Sequence, residues 1–135
     1  EIGKAQIYWL PDSGLAQVGI IATGALLYRA LVAAKELEKE GIKVKVMNLS
    51  SIKPIDSESI ISLAKETKKI VTVEEHQIAG GMGSAVAEVL AQNFSVPIEF
   101  VGVRDKFGQS GTQEELIKHY GMDKDSIKDA VKKLI

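Results

Sequence analysis

The sequence alternates short apolar runs with segments whose apolar residues recur every three or four positions. Four of these runs have strand length, and they occupy residues 18–22, 43–47, 70–73 and 98–103. The segments between them have the periodicity of amphipathic helices. Strands that alternate with helices along a chain form mostly parallel sheets covered by helices on both faces. The pattern therefore predicts an α/β fold with three layers, α/β/α.

The first apolar segment, residues 5–10, breaks this alternation. A turn sequence at residues 11–14 follows it directly and leaves no room for a crossover helix. Parallel neighbours need a connection of a dozen or more residues, so we expect this segment to be antiparallel to the others and to lie at an edge. The complete prediction is a mostly parallel mixed sheet of about five strands with an antiparallel first edge strand.

Local signals also predict where helices begin and end. Asp56 stands at the expected start of a helix, after a proline. Thr112 and Glu115 have the spacing of a capping box, in which a hydroxyl and a carboxylate satisfy free amides at a helix start. We expect Gly121 to end that helix and Asp123 to cap a separate last helix.

Length and composition limit the classes of function. The 135 residues fit one domain, 1–135, and 17 basic against 18 acidic residues leave a net charge of −1. Such a balance offers no general field for nucleic acid or an anionic membrane, and no apolar run approaches the roughly 20 residues of a membrane-spanning helix. The absence of cysteine excludes disulfides and thiolate chemistry. We expect a cytoplasmic protein and, since the first residue is not Met, a fragment of a longer chain.

Ligands and partners of open α/β sheets gather beyond the carboxyl ends of the strands. The segments that fall there are Thr23 with Gly24, residues 74–83 and residues 104–111. Within the middle segment Gly80, Gly81 and Gly83 precede a predicted helix, whose free amides could hold an anion. The same glycines could instead allow unusual backbone angles and close packing. We favour packing, because the spacing matches neither a dinucleotide fingerprint nor a P-loop.

Three titratable residues, Glu74, Glu75 and His76, stand together where the third parallel strand is expected to end. They could form an acid/base cluster. Adjacent residues of a strand point to alternate faces, however, so a polar loop or an interface contact is the better interpretation. His76 and His119 are the only histidines and lack metal-ligand spacing. We therefore assign no catalytic, cofactor-binding or metal-binding residue to this chain.

Several stretches resemble the carboxy-terminal domain of transketolase, and they follow one another in the same order. They are IIATG at 20–24, VMNLSSIKPID at 46–56, VTVEEH at 71–76, GGMGSAVAE at 80–88 and RDKFGQSGTQEEL at 104–116. Deoxyxylulose-phosphate synthase and the beta subunits of 2-oxoacid dehydrogenases are similar in part. The stretch FGQSG at 107–111 and the histidine after the paired acids favour transketolase.

The resemblance implies a larger enzyme that uses thiamine diphosphate to move a two-carbon ketol unit between sugar phosphates. In that family a Gly-Asp-Gly motif of another domain holds the diphosphate and Mg²⁺, and the activating glutamate belongs to a pyrimidine-binding domain. This sequence contains no Gly-Asp-Gly. The resemblance therefore implies no cofactor in this domain, with thiamine diphosphate and Mg²⁺ held elsewhere in the full enzyme.

The partners that the resemblance implies are the pyrimidine-binding and diphosphate-binding domains, in a dimer or a split-subunit assembly. The expected contact surface, or alternatively an anion site, comprises Thr23, Gly24, Glu74, Glu75, His76, Gly80, Gly81 and Gly83. Two alternatives remain. The chain could be the corresponding domain of deoxyxylulose-phosphate synthase, or a stand-alone module that binds a small anion or regulates another protein.

Overall fold

The computed structural model describes residues 4–23, 26–50, 54–75, 81–103 and 113–135, with the backbone alone for 113–123. Five strands and four helices lie in these ranges: β1 Gln6–Trp9, β2 Val18–Ala22, α1 Leu27–Lys39, β3 Val44–Asn48, α2 Ser57–Thr67, β4 Ile70–Glu75, α3 Met82–Asn93, β5 Ile98–Val103 and α4 Gln113–Leu134. Gly24, His76, Gly80 and Thr112 fall outside the described residues. None of the helices in these ranges is both long and apolar enough to span a membrane.

The strands form one mixed sheet in the order β1-β3-β2-β4-β5. Strand β1 pairs antiparallel with β3, with an irregular register between Ile7 and Trp9, and the other strands are parallel. The predicted antiparallel edge strand and mostly parallel mixed sheet are both confirmed. The short turn after β1 is the physical reason, because only an antiparallel strand can reverse in so few residues.

Two apolar clusters hold the layers together, one on each face of the sheet. On one face α1 and α4 pack on strands β2 to β5, with Val46, Ala30 and Val131 fully buried. On the other face α2 and α3 pack through residues such as Leu63 and Val86. The central strands carry apolar residues on both sides, and a sheet of such strands must be covered on both faces. This requirement explains the three-layer arrangement.

Helix α2 begins where the sequence predicts. The Asp56 carboxylate accepts hydrogen bonds from the Ser59 amide at 3.1 Å and the Ser59 hydroxyl at 2.7 Å, and also from the Ala5 amide at 2.9 Å. Asp56 thus caps the helix and joins it to the residue that precedes β1.

The C-terminal helix differs from the prediction. Two helices were expected, with a break at Gly121, but α4 runs without interruption from Gln113 to Leu134. A glycine inside a helix costs only about 1 kcal/mol relative to alanine. A helix of 22 residues can tolerate that cost.

A chain of ion pairs, the α1–α4 ladder, joins the outer helices on one face. Lys124 and Lys128 both bind Glu36, the second at 3.0 Å. Lys128 and Lys132 each lie 2.7 Å from a carboxylate oxygen of Glu40. Spacings of four residues on each helix put these side chains on facing surfaces. The ladder therefore supplements the apolar contact between α1 and α4.

Candidate functional site at the carboxyl ends of β2 and β4

Strands β2 and β4 are hydrogen-bonded neighbours whose chains leave the sheet in opposite directions. Ala22 of β2 pairs with Val73 of β4, so Thr23 and Glu74 follow at the same edge. After β2 the chain enters α1 on one face, and after β4 it enters α3 on the other face. This is the topological switch point at which open α/β sheets bind ligands and partners. The structure therefore brings together the described members of the predicted set.

Glu74 is the most buried charged residue at this edge. Its side chain is only 3% exposed. One carboxylate oxygen accepts the backbone N–H of Met82 at 3.1 Å, and the other accepts the N–H of Gly83 at 2.9 Å. Both donors belong to the first turn of α3, whose amides have no partner within the helix. A carboxylate from β4 thus supplies the negative charge that a helix N-terminus favours.

Gly83 allows α3 to approach the sheet at this point. A Cβ at Gly83 would lie 2.5 Å from the bound Glu74 oxygen, 3.0 Å from Phe100 Cδ1 and 3.2 Å from Thr72 Oγ1. Gly81, at the N-cap of α3, has a φ of −81°, which other residues adopt readily. Close approach therefore explains the glycine at position 83, whereas no positive φ explains the glycine at position 81.

This geometry restricts the chemistry that the edge can perform. The amides of Met82 and Gly83, the expected anion donors, already bind Glu74. A general base needs an oxygen within reach of a substrate proton, and both oxygens of Glu74 face backbone amides. Glu75 is half-buried and has no hydrogen-bond or ion-pair partner among the described residues. Within the described ranges no three His, Cys, Asp or Glu side chains group as metal ligands.

Two buried polar side chains near this edge were not singled out from the sequence. The hydroxyl of Thr72 and the side-chain oxygen of Asn48 have no hydrogen-bond partner in the described part of the chain. Thr72 stands two positions before Glu74 in β4, so both side chains face α3. That period-two spacing of polar residues in an otherwise apolar strand was the available signal. Asn48 ends β3, and nothing in the sequence distinguished it from a loop residue.

A second concave surface lies away from the switch point, between β1 and α2. It encloses about 240 Å³ and is lined by Ile7, Met47 and Leu63 on its apolar side. At its polar rim Lys45 binds Glu66 at 2.8 Å. Because this lysine is neutralised within the domain, the groove offers little attraction to an anionic ligand.

A sequence model described as the C-terminal domain of transketolase matches residues 8–127. The chain belongs to the transketolase C-terminal domain family. It is 42% identical over 136 residues to a transketolase of Rattus norvegicus, covering all of this chain and 21% of the relative. It is 36% identical over 137 residues to 1-deoxy-D-xylulose-5-phosphate synthase of Syntrophus aciditrophicus, covering all of this chain and 20% of that enzyme. It spans about a fifth of the length of these two relatives.

A solved structure of this family has the same fold. It is described as a split gene transketolase in an inactive beta4 tetramer, and it aligns with a TM-score of 0.79 at 40% sequence identity. The alignment covers 99% of this chain and 42% of the solved chain. The five-stranded mixed sheet with its antiparallel edge strand is thus the fold of a transketolase C-terminal domain, as the sequence predicted.

Proposed function

We propose that this chain is the C-terminal domain of a thiamine-diphosphate-dependent transketolase, whose complete enzyme transfers a two-carbon ketol unit between sugar phosphates. The family match along residues 8–127 supports this proposal. Sequence identity does not separate the two candidates, since transketolases and transketolase subunits are 37–44% identical to this chain and two deoxyxylulose-phosphate synthases are 36–39% identical. The FGQSG stretch at 107–111 favours transketolase. In this proposal residues 1–135 form a single domain of a longer enzyme or of one subunit of a split enzyme.

The domain's own role is assembly rather than chemistry. The observation that carries this conclusion is the Glu74 carboxylate, whose two oxygens are both engaged by backbone amides inside the domain. This contact supports the interpretation of Glu74, Glu75 and His76 as a polar loop or an interface contact rather than an acid/base cluster, because the most buried acid of the three is engaged within the domain. Thiamine diphosphate and Mg²⁺ are then held by other domains, in keeping with the absence of a Gly-Asp-Gly motif from this sequence.

The proposed contact surface lies at the carboxyl ends of β2 and β4 and includes Thr23 and Glu75. A half-buried carboxylate without a partner in the described residues is costly to cover at an interface unless the partner supplies a donor or a cation. The partner is the pyrimidine-binding or diphosphate-binding part of the same enzyme, in a dimer or a split-subunit assembly. The solved relative, a split gene transketolase tetramer, supports an assembled form.

The test is the double variant Glu75→Ala with His76→Ala, compared with Glu88→Ala on the exposed side of α3. We expect both variants of this chain to melt near the wild-type temperature. In the complete enzyme the double variant should weaken assembly, measured by sedimentation, or lower turnover, while Glu88→Ala should not. Normal assembly and normal turnover of the double variant would place the interface elsewhere.

One observation supports the alternative, a deoxyxylulose-phosphate synthase. The synthase of Syntrophus aciditrophicus described above also aligns over the whole of this chain. Product analysis of the complete enzyme separates the two. Transfer of a ketol unit between two sugar phosphates supports transketolase, whereas formation of 1-deoxy-D-xylulose-5-phosphate supports the alternative. A stand-alone anion-binding module has less support, since the amides of Met82 and Gly83 are occupied from within.

A further inference from the structure

The first turn of α3 rests in a socket made by two strands. Thr72 and Glu74 of β4 and Phe100 of β5 surround the point where a Cβ of Gly83 would lie. Glu74 contributes the directional part of this contact, because its two oxygens bind two consecutive amides. Attachment at two points fixes the direction of the helix start as well as its distance from the sheet.

The same contact joins the end of β4 to the start of α3, which follows it in the chain. Glu74 stands eight residues before Met82, to whose amide it binds, and the N-cap residue Gly81 has no side chain that could do the same work. The chain leaves the sheet at Glu75 and enters the helix at Met82. Both of these points are therefore held by one buried carboxylate.

We propose that Glu74 is a positioning residue: it ties the end of β4 to the first turn of α3 and thereby sets where Glu75 is presented to the partner. The inference rests on the proposed function, in which the surface at Glu75 contacts another part of the enzyme. It assigns Glu74 no contact with the partner, the substrate or the cofactor. Its effect on assembly passes through the placement of its neighbour.

Glutamine is the informative replacement for Glu74, since it has nearly the same shape. Its amide has one acceptor oxygen and one NH₂ donor, so in this socket the NH₂ group must face the N–H of Met82 or Gly83. One of the two hydrogen bonds becomes a donor–donor contact. Glu88→Gln, on the exposed side of the same helix, removes the same charge without touching the socket and serves as the matched control.

The first measurement is amide hydrogen exchange in this chain. Loss of a hydrogen bond to a charged group should speed exchange at Met82 and Gly83 by about tenfold or more in Glu74→Gln, with no change in Glu88→Gln. Wild-type exchange rates at both amides in Glu74→Gln would show that the Glu74 carboxylate does not hold the first turn of α3.

The second measurement is association of the complete enzyme, well below the melting temperatures of all variants. We expect Glu74→Gln to weaken it and Glu88→Gln to leave it unchanged. A purely structural role would lower the melting temperature but leave the association of the folded protein intact, and that result would overturn the positioning role. Fast exchange in Glu74→Gln together with unaltered association of the Glu75→Ala, His76→Ala variant would show instead that the proposed contact surface is wrong.

Discussion

The ammonium group of Lys128 hydrogen-bonds the carboxylate of Glu40 at 2.7 Å across the contact between α4 and α1. This bond, followed by the one from Lys132, lowers the pKa of Glu40 from its ordinary 4.5 to about 2. Bonds from Lys124 and Lys128 lower the pKa of Glu36 as well. In return Glu40 and Glu36 raise the pKa of Lys128 above 10.5.

These shifts predict how the stability of the domain depends on pH. A carboxylate with a lowered pKa stabilises the fold above its unfolded value of 4.5, and this contribution is lost as the pH falls towards 2. The raised pKa of Lys128 adds a contribution that is present below 10.5 and lost at higher pH. Thermal melting of Glu40→Gln should therefore show a smaller drop between pH 4.5 and 2 than the wild type.

The effect of the ladder should be modest and sensitive to salt, because its side chains are all partly solvent-exposed, from 15% for Lys128 to 46% for Lys132. Glu88→Gln is the control, since Glu88 is exposed and has no ion pair with the described residues. An acid-induced loss in Glu40→Gln as large as that of the wild type would show that the ladder does not contribute in solution.

Replacing Gly83 by alanine should destabilise the domain by roughly 1–3 kcal/mol, the usual range for overpacking in a core. The added Cβ would lie 2.5 Å from an oxygen that the first turn of α3 holds in place. Helix propensity alone predicts the opposite sign, a gain of about 1 kcal/mol. Urea denaturation of Gly83→Ala decides between them, with exposed Ser84→Ala as the neighbouring control. A stabilised Gly83→Ala would contradict the close approach of α3.

Asp56→Ala should lower the free energy of unfolding by about 2 kcal/mol, at the upper end for an N-cap. The variant loses the bonds to Ser59 and also the bond to the Ala5 amide. Burial raises the pKa of Asp56, but the bonds from Ala5 and Ser59 outweigh it, so the pKa is lowered from 3.8. Its contribution is therefore present above pH 3.8 and lost as the pH falls. A wild-type unfolding midpoint for Asp56→Ala would refute this account, and Ser57→Ala is the control.

This domain alone should not bind thiamine diphosphate with Mg²⁺. The prediction follows from the absence of a Gly-Asp-Gly motif and from the occupied amides at the start of α3. Calorimetry at millimolar cofactor should show no saturable heat. A micromolar, Mg²⁺-dependent isotherm would reveal a site that the resemblance does not imply.

The sheet was predictable because each parallel strand is apolar on both faces and because the turn after β1 is too short for a crossover. The continuity of α4 was not, since a glycine is typical of helix ends but costs only about 1 kcal/mol inside a helix. The roles of Glu74 and Gly83 depend on where α3 lands on β4 and β5. That distance is set by tertiary packing. The sequence favoured close packing for the glycines before α3 but did not identify Glu74 as the contact of Gly83.

The α1–α4 ladder joins residues far apart in the chain: Lys124 and Lys128 stand 88 and 92 positions after Glu36. During synthesis α1 leaves the ribosome long before its partner helix. Until residues 124–132 have been synthesised, the apolar face of α1 has no neighbouring helix to pack against, and Glu36 and Glu40 have no lysines to bind. Contacts of such sequence separation slow folding, and nascent chains with exposed apolar surface are prone to aggregate. This domain should therefore reach its native state only after α4 has been translated and has docked on α1.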